Sequence, residues 1–502
     1  MLRWASTTEA VTFDPNAAYL APTIAENHQV YEGLTDLNAR YELEPSLATV
    51  WRLLDPLTWE FELRRDVTFH DGEPFTPEDV VFSLGRAASG VSQFKGFVQP
   101  IASVEVVGDH TVRIKTAAPS PDLPTRLPHV FIMSRRWAER HGATATAPYD
   151  DAEVTYAERH ADGTGPFRLE SFEPGVGSVM TRNPAWWGQG QNPHNIDRIE
   201  HVWIADRERG LADLLTGRID FLHDPPLDQL GRIEAAPGLR LVRAAEFRTI
   251  FLGMDQASPE LRSSEVKGRN PFKDRRVRQA IYQAIDVEAI REGVMGGLLV
   301  PAGLIIPRGV NGWSEELDQR LPFDPDAARR LLAEAGYPHG FAVTLDCPEG
   351  RYVNDVAICQ AVADMLGRVG IAVTVDAEPA RRYFPKITER RTDFYMLGWF
   401  TATFDAQLNF ATLVRSGAQY GGTGYADPRV DGLIDAIGTE LSSPVRDALI
   451  EQVLRAVRDD IVYVPLHQQV LVWALRDRLE LPIDPGDMPR FRLARLTVPA
   501  PH

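Results

Sequence analysis

The chain has 502 residues, of which 44% are hydrophobic, and 70 acidic against 53 basic residues give it a formal net charge of −17. This length exceeds what one hydrophobic core supports, so we expect a globular protein of two or three domains. The acidic excess argues against a nucleic-acid backbone or an anionic membrane as the main partner. Two cysteines are too few for a disulfide framework or a structural metal site of cysteine type.

No stretch of the sequence is apolar for long enough to cross a bilayer. The first residues, MLRWASTTEAVTFDP, lack the basic region followed by an apolar region that marks a secretory signal. From these residues alone, either the protein is cytosolic or a leader has been replaced by Met1. A short helical pattern then ends at Gly33, where Glu32 either faces a cleft or caps the helix end.

A β-rich block follows and extends to about residue 162. Trp59, Phe61 and Leu63 alternate with charged residues, which predicts a half-buried antiparallel strand. Residues 104–114 predict a hairpin. His70 has no second histidine or cysteine nearby, so we interpret it as structural. The block has its own alternation of hydrophobic and polar residues, which is typical of strands, and we expect it to form a subdomain.

The rest of the chain alternates strand and helix patterns, which predicts a mixed α/β layer. The segment GTGPF at residues 163–167 marks a chain reversal and fails as a phosphate loop, because no helix start with Lys and Ser or Thr follows it. Asp274 predicts the start of a helix. The basic residues at 273–278 are either its solvated first turn or an anion site, and we favour the solvated turn. A second helix start is predicted at Asp324.

Residues 343–375 predict a strand, a helix and a second strand. Apolar residues at helical spacing, beginning at Val356, mark the buried face of the helix. Both Cys347 and Cys359 fall on core-facing positions. A disulfide between them is geometrically possible, and two buried thiols are the alternative. The loop before the helix places Arg351 next to Tyr352 at the carboxyl end of a strand.

The stretch DFYMLGWFTATFDAQLNF, residues 393–410, begins with an apolar run that predicts a buried strand ending at Trp399. Ligands of open α/β sheets usually lie beyond the carboxyl ends of the strands. Residues 398–405 therefore have the position of a binding site. The alternative is a strand end with an aromatic side chain packed beneath it.

Signatures of catalysis are absent from the sequence, which has no HExxH helix, no Gly-x-Ser-x-Gly elbow, no Walker-type loop and no full dinucleotide fingerprint. Both cysteines fall on core positions, where they are poor nucleophiles. The carboxylate pairs Asp150-Asp151 and Asp459-Asp460 are adjacent in sequence and would diverge, so we interpret them as solvated. We expect no enzyme, no catalytic residue, no metal site and no cofactor.

Eight segments stand out together, in chain order: 59–86 (WEFELRRDVTFHDGEPFTPEDVVFSLGR), 163–167 (GTGPF), 183–188 (NPAWWG), 217–221 (GRIDF), 251–255 (FLGMD), 270–286 (NPFKDRRVRQAIYQAID), 323–337 (FDPDAARRLLAEAGY) and 393–399 (DFYMLGW). In this order they resemble the bacterial extracellular solute-binding proteins of ATP-binding cassette (ABC) importers, in family 5, which includes dipeptide, oligopeptide and nickel binders. The resemblance covers nearly the whole chain.

This resemblance implies an α/β, two-lobed periplasmic-binding-protein fold with a hinge, plus an extra β-rich domain. Lobe I would comprise residues 1–39, 164–255 and 467–502, the extra domain residues 40–163, and lobe II residues 256–466. The resemblance also implies a periplasmic location, with the signal peptide absent from this sequence. Free thiols are less expected in that compartment, which favours a disulfide.

One departure from the family concerns the loop after Gly398-Trp399. In peptide-binding members an aspartate three residues past the Trp holds the peptide's ammonium group, whereas this chain has Ala402 there. Asp405 follows in the same loop and is the candidate substitute for this aspartate. A buried ammonium without an anionic partner is costly, so a free-amino peptide is a less secure ligand. Arg351 lies near the place from which peptide binders reach the ligand carboxylate.

We therefore expect the periplasmic substrate-binding component of an ABC-type importer, which captures a small polar solute between two lobes and delivers it to an inner-membrane permease. The solute would be a short peptide or peptide-like compound, or alternatively an opine, an oligosaccharide or a metal chelate. We expect a monomer that binds no nucleic acid. A hydrolase on the same scaffold is the rival. The candidate ligand-binding residues are Trp399 and Tyr352 as apolar walls, Arg351 as a carboxylate or hydroxyl partner, Thr401, Thr403 and Asp405 as polar contacts, and Glu32 from the first lobe.

Overall fold

A computed structural model of the chain describes residues 1–38, 42–149, 154–192 and 194–497. The chain forms two compact units: unit 1 is Met1–Ala244 with Leu471–His502, and unit 2 is Ala245–Val470. The predicted domain start at Arg40 and the pair Asp150-Asp151 lie outside the described residues. The boundaries given above for the two lobes and the extra domain stay a prediction.

The secondary structure alternates between strands and helices along most of the chain. The strands are β1 (Leu2–Ser6), β2 (Thr35–Leu37), β3 (Leu43–Pro45), β4 (Ala48–Asp55), β5 (Thr58–Leu63), β6 (Ile101–Gly108), β7 (Thr111–Thr116), β8 (Phe167–Glu173), β9 (Gly177–Arg182), β10 (Arg198–Trp203), β11 (Phe221–Leu222), β12 (Leu239–Met254), β13 (Leu299–Pro301), β14 (Phe341–Glu349), β15 (Ile371–Pro379), β16 (Phe394–Phe400), β17 (Tyr463–Arg476), β18 (Leu479–Glu480) and β19 (Arg495–Leu496). The α-helices are α1 (Ala21–Val30), α2 (Pro77–Ala87), α3 (Lys95–Val98), α4 (Leu123–Arg126), α5 (Arg135–Arg140), α6 (Tyr156–Arg159), α7 (Arg207–Thr216), α8 (Leu230–Ala235), α9 (Arg275–Ala284), α10 (Val287–Gly293), α11 (Pro325–Glu334), α12 (Asp355–Gly367), α13 (Ala380–Thr388), α14 (Ala406–Asn409), α15 (Pro428–Thr439) and α16 (Ser443–Asp459).

The main sheet of unit 1 has the strand order β17-β11-β1-β10-β9-β8. Strand β1 is parallel to both of its neighbours, and β9 is antiparallel to β10 and β8. Aromatic side chains fill the core beside it. The ring of Phe221 lies 5.7 Å from that of Trp4 and 5.1 Å from that of Trp473.

A second sheet of unit 1, with the order β4-β5-β7-β6, is antiparallel throughout. The predicted strand with Trp59, Phe61 and Leu63 on its inner face is confirmed as β5; Phe61 and Leu63 are buried, and Trp59 is half-buried. The predicted hairpin is confirmed as β6 and β7. Glu60 also lies at a buried position, where it pairs with Arg52 and Arg113.

Unit 2 contains the strands β15-β14-β16-β12. Strand β14 is parallel to β15 and β16, and β12 is antiparallel to β16. The predicted strand, helix and strand are confirmed as β14, α12 and β15. The expected start of the helical stripe at Val356 is wrong. That side chain lies in the first turn of α12 and is 37% exposed, and the buried stripe begins at Ile358 instead.

Both predicted helix starts in unit 2 are confirmed. The side chain of Asp274 accepts the N–H of Arg276 at 2.9 Å, and that of Asp324 accepts the N–H of Ala327 at 2.7 Å. Such caps satisfy amide groups that have no partner within the helix. The expectation of a wholly solvated first turn is wrong for Arg278, which is buried because backbone carbonyl groups at residues 272, 273, 460 and 461 accept its N–H groups.

Within the described residues, no helix is long and apolar enough to span a membrane.

Candidate functional site

The candidate site residues of unit 2 meet at one edge of its sheet. Strands β14 and β16 run parallel, so their carboxyl ends lie at the same edge. Because β12 is antiparallel to β16, with Arg248 opposite Phe400, the amino-terminal part of β12 within this unit lies there too. The loop that follows β14 carries Arg351 and Tyr352, and Trp399 lies at the end of β16.

The loop after β14 is held by the carboxylate of Asp355, the first residue of α12. Its oxygens accept the N–H groups of Gly350 at 3.3 Å, Arg351 at 2.8 Å and Tyr352 at 3.0 Å. The backbone of Asn354 adopts the left-handed conformation, with φ of 54°. The Asp355 side chain thus provides hydrogen-bond acceptors for three successive backbone N–H groups, which fixes the backbone conformation of the loop.

Tyr352 is buried, and its hydroxyl donates to the carbonyl oxygen of Gly398 at 3.0 Å. This contact joins the loop to the end of β16. A Cβ atom at Gly398 would lie 2.7 Å from Cε1 of Tyr352 and 2.5 Å from Cδ1 of Ile250, so only glycine fits there. Burial raises the pKa of the Tyr352 hydroxyl, which keeps it protonated as a donor.

Two arginine side chains lie near the Tyr352 ring. The guanidinium carbon of Arg351 is 5.3 Å from the ring centroid, and that of Arg248 is 5.8 Å from it. Nε of Arg248 lies 2.9 Å from Oε1 of Glu246, whose other oxygen accepts the amide of Gln469 at 2.8 Å. Arg351 is exposed. The carboxylates of Glu246 and Asp355 act on its guanidinium electrostatically, but within the described residues no carboxylate forms an ion pair or a side-chain hydrogen bond with it. This edge of the sheet therefore offers a guanidinium group beside an aromatic ring.

Trp399 is half-buried, and its ring lies 5.1 Å from that of Tyr420. Sequence reasoning missed Tyr420, Arg248 and Glu246. A signal was available for the last two, because charged residues alternate with Phe247 and Thr249 just before the buried part of the strand.

The polar residues of the loop after β16 are enclosed. Thr401 and Thr403 are buried, and Oγ1 of Thr401 accepts the side-chain amide of Asn409 at 2.8 Å. Asp405 caps α14 and forms an ion pair with Arg446. These contacts favour a structural role for Asp405. The role of Thr401, Thr403 and Asp405 as solute contacts stays a prediction.

Glu32 lies in unit 1, where side chains from two of the motif segments meet it. Its Oε1 accepts a hydrogen bond from the indole N–H of Trp186 at 2.9 Å. Its Oε2 accepts one from the indole N–H of Trp187 at 2.8 Å and one from the hydroxyl of Thr164 at 2.7 Å. Burial raises the pKa of Glu32 to about 7, although these three donors oppose the shift. Helix α1 ends at Val30, so Glu32 follows the helix. Its role as a solute contact stays a prediction.

Cys347 and Cys359 form a disulfide, which decides between the two alternatives that the sequence left open. Both cysteines are fully buried. In the described ranges, no group of three or more histidine, cysteine, aspartate or glutamate side chains is arranged to hold a metal ion.

Comparison with known proteins agrees with this architecture. A glutathione-binding protein, GsiB, of Salmonella choleraesuis is 25% identical over 477 residues, which cover 92% of this chain and 88% of that protein. A putative ABC transporter peptide-binding protein of Brucella ovis is 27% identical over 327 residues, which cover 64% of this chain and 55% of that protein.

Solved structures share the fold over the whole chain. The ABC transporter substrate-binding protein CtaP of Listeria monocytogenes matches with a TM-score of 0.85 at 19% identity, covering 99% of both chains. The periplasmic binding protein DppA of Helicobacter pylori, in complex with the peptide STSA, matches with a TM-score of 0.77 at 21% identity, covering 99% of this chain and 98% of that one.

These matches define the class as a two-lobed periplasmic-binding-protein fold, so the predicted fold class is confirmed. The profile of the family described as bacterial extracellular solute-binding proteins, family 5, matches residues 42–421. The chain belongs to this family, and it is a solute-binding protein of the kind that serves ABC importers. The predicted family resemblance is thereby confirmed.

Proposed function

We propose that the protein captures a short peptide or peptide-like solute that carries a carboxylate group, and that it delivers this solute to a permease of the inner membrane. Arg351 carries the proposal, because it is exposed beside Tyr352 and no ion pair within the described residues neutralises it. We propose that it acts as a monomer in the periplasm.

A guanidinium group matches a carboxylate in geometry as well as in charge, since two parallel N–H groups reach the two oxygens. Tyr352 and Trp399 would supply the apolar walls beside it. Aromatic walls with a few fixed polar groups are typical of small-molecule sites. Asp405 already forms an ion pair with Arg446, whereas Arg351 is exposed and forms none within the described residues. The charged candidates of unit 2 therefore favour an anionic group of the solute.

Relatives support this solute class by their names, since they are glutathione-binding and peptide-binding proteins. Glutathione and peptides with a free carboxyl terminus both carry carboxylate groups.

The test is a titration of the purified protein by isothermal calorimetry with glutathione, the dipeptide Met-Leu and the tetrapeptide STSA. Agropinic acid represents the opines, and a nickel–histidine complex represents the metal chelates. We expect saturable binding of glutathione or a peptide. We also expect amidation of the carboxyl terminus of the best-binding peptide to weaken binding on the order of tenfold or more, since a hydrogen bond to a charged group contributes about 1.5–3 kcal/mol.

The variant Arg351→Gln should remove the difference between the acid and the amide. The matched control is Arg330→Gln, because Arg330 is exposed on α11 in the same unit. Binding of agropinic acid or nickel–histidine alone would overturn the peptide class. Equal binding of acid and amide by the unmodified protein would remove the role of Arg351.

A further inference from the structure

The disulfide encloses the segment that carries Arg351 and Tyr352. Cys347 lies near the end of β14, and Cys359 lies in the second turn of α12. They are 12 positions apart in the sequence, and their Cα atoms are 6.4 Å apart. The loop of residues 348–354 is therefore tied at both ends within the buried core of unit 2. The covalent bond limits how far the strand end and the helix start can separate.

Further contacts hold the loop between these two ends. Besides the three amide groups held by Asp355, the N–H of Val353 donates to the side chain of Gln469 at 3.3 Å. The side-chain amide of Asn354 donates to the carbonyl oxygen of Val294 at 2.9 Å. Residues 350–354 thus each have a hydrogen bond to a fixed group.

Ordering a loop and its long side chains when a solute binds reduces affinity, and a loop that is ordered beforehand avoids this loss. Arg351 is exposed, yet its own N–H is fixed by Asp355, so the direction from which its side chain leaves the backbone is set. Tyr352 is fixed by its hydroxyl.

We propose that the Cys347–Cys359 disulfide and the Asp355 carboxylate together form a positioning device, which holds Arg351 and Tyr352 in place for an anionic group of the solute. This inference rests on the proposed function, in that Arg351 contacts the solute. The disulfide and Asp355 act through Arg351 and do not touch the solute themselves.

The first test needs no solute. Hydrogen exchange followed by mass spectrometry on peptides covering residues 349–354 should show faster exchange in the double variant Cys347→Ala, Cys359→Ala and in Asp355→Asn. The control is Val362→Ala, which removes buried methyl groups from the same helix but leaves the disulfide and Asp355 in place. It should lower the melting temperature without changing exchange in this loop.

The second test is a double-mutant cycle with glutathione or the best-binding peptide, well below the melting temperature. With Arg351 present, loss of the disulfide should weaken binding roughly tenfold, because a pre-ordered site is lost. In the Arg351→Gln background the same loss should weaken binding by much less. Such coupling separates positioning from general stability, which would give additive losses. Asp355→Asn should show the same coupling with the disulfide intact.

Unchanged exchange in the loop, or additive losses in both cycles, would overturn the positioning device and leave the proposed function standing. Failure of the unmodified protein to bind any peptide or glutathione would overturn the proposed function, and the coupling to Arg351 with it. The exchange result would then show whether the anchors order the loop at all.

Discussion

Arg446 on α16 donates to both carboxylate oxygens of Asp405, with Nη1 to Oδ2 at 2.6 Å and Nη2 to Oδ1 at 2.7 Å. Both side chains are less than 10% exposed. The side-chain amide of Asn311 also donates to Oδ2 of Asp405 at 3.1 Å. The loop after β16 is therefore tied to α16 through Arg446, which follows Asp405 by 41 positions in the chain.

Replacing Asp405 with Ala should leave the Arg446 guanidinium buried without its anion. Removing one partner of a buried pair typically costs about 3–5 kcal/mol of unfolding free energy. Urea unfolding measures this loss. The control is Asp435→Ala, because its pair with Arg415 is exposed, with 59% and 44% of the two side chains accessible. The control should lose less than about 1 kcal/mol. Equal small losses would contradict a structural role for the Asp405 pair.

Glu32 should make the stability of the protein depend on pH. Its pKa is about 7 in the folded protein against 4.5 ordinarily, so the folded state favours the protonated form. The stabilisation from this group is complete below pH 4.5 and is lost as the pH rises to about 7. The free-energy difference between the unmodified protein and Glu32→Gln should therefore fall by up to ~3 kcal/mol over this range, at about 1.4 kcal/mol per pKa unit.

Urea unfolding of both proteins at intervals between pH 4.5 and pH 8 measures this change. Above about pH 7 the difference should stay constant. A difference that does not vary with pH would show that Glu32 titrates near its ordinary value.

Gly398→Ala should disturb the contact between β16 and Tyr352. The added Cβ would lie 2.5 Å from Cδ1 of Ile250 and 2.7 Å from Cε1 of Tyr352, so a side chain must move. We expect a loss of about 1–3 kcal/mol in unfolding free energy and weaker solute binding. The control is Gly367→Ala in α12, where a Cβ meets no atom within 4 Å. That control should be neutral or stabilise by up to about 1 kcal/mol. Solute binding as tight as in the control would contradict the proposed place of Tyr352.

Lys386 on α13 brings together three carboxylates of unit 2. Its Nζ lies 2.8 Å from Asp346, 2.7 Å from Asp376 and 2.6 Å from Glu378. Burial lowers the pKa of Lys386, but the hydrogen bonds to these carboxylates outweigh it and raise the pKa above the usual range. Lys386→Met should cost about 2 kcal/mol or more, since the carboxylates then repel one another without a cation between them.

The control for Lys386 is Lys115→Met, whose pair with Glu105 is exposed at 47% and 46%. It should lose less than about 1 kcal/mol in thermal or urea unfolding. If the two variants lost the same amount, Lys386 would not be the common partner of this cluster.

The sequence by itself determined the local elements and the family. Strand β5, the caps at Asp274 and Asp324, and the succession of β14, α12 and β15 were predicted because each depends on residues within a few positions of one another. The family was recognised because eight short segments keep their order along the chain. Hydrophobic period and capping are local properties, and local properties can be read from one sequence.

Only the tertiary structure decided which distant side chains meet. It paired Asp405 with Arg446, placed Trp186 and Trp187 on Glu32, and joined Cys347 to Cys359. A charged residue in a sequence shows no partner, and the cost of its burial depends on groups that other elements supply. Partner choice is therefore a property of how the elements pack, and no period or spacing along the chain contains it.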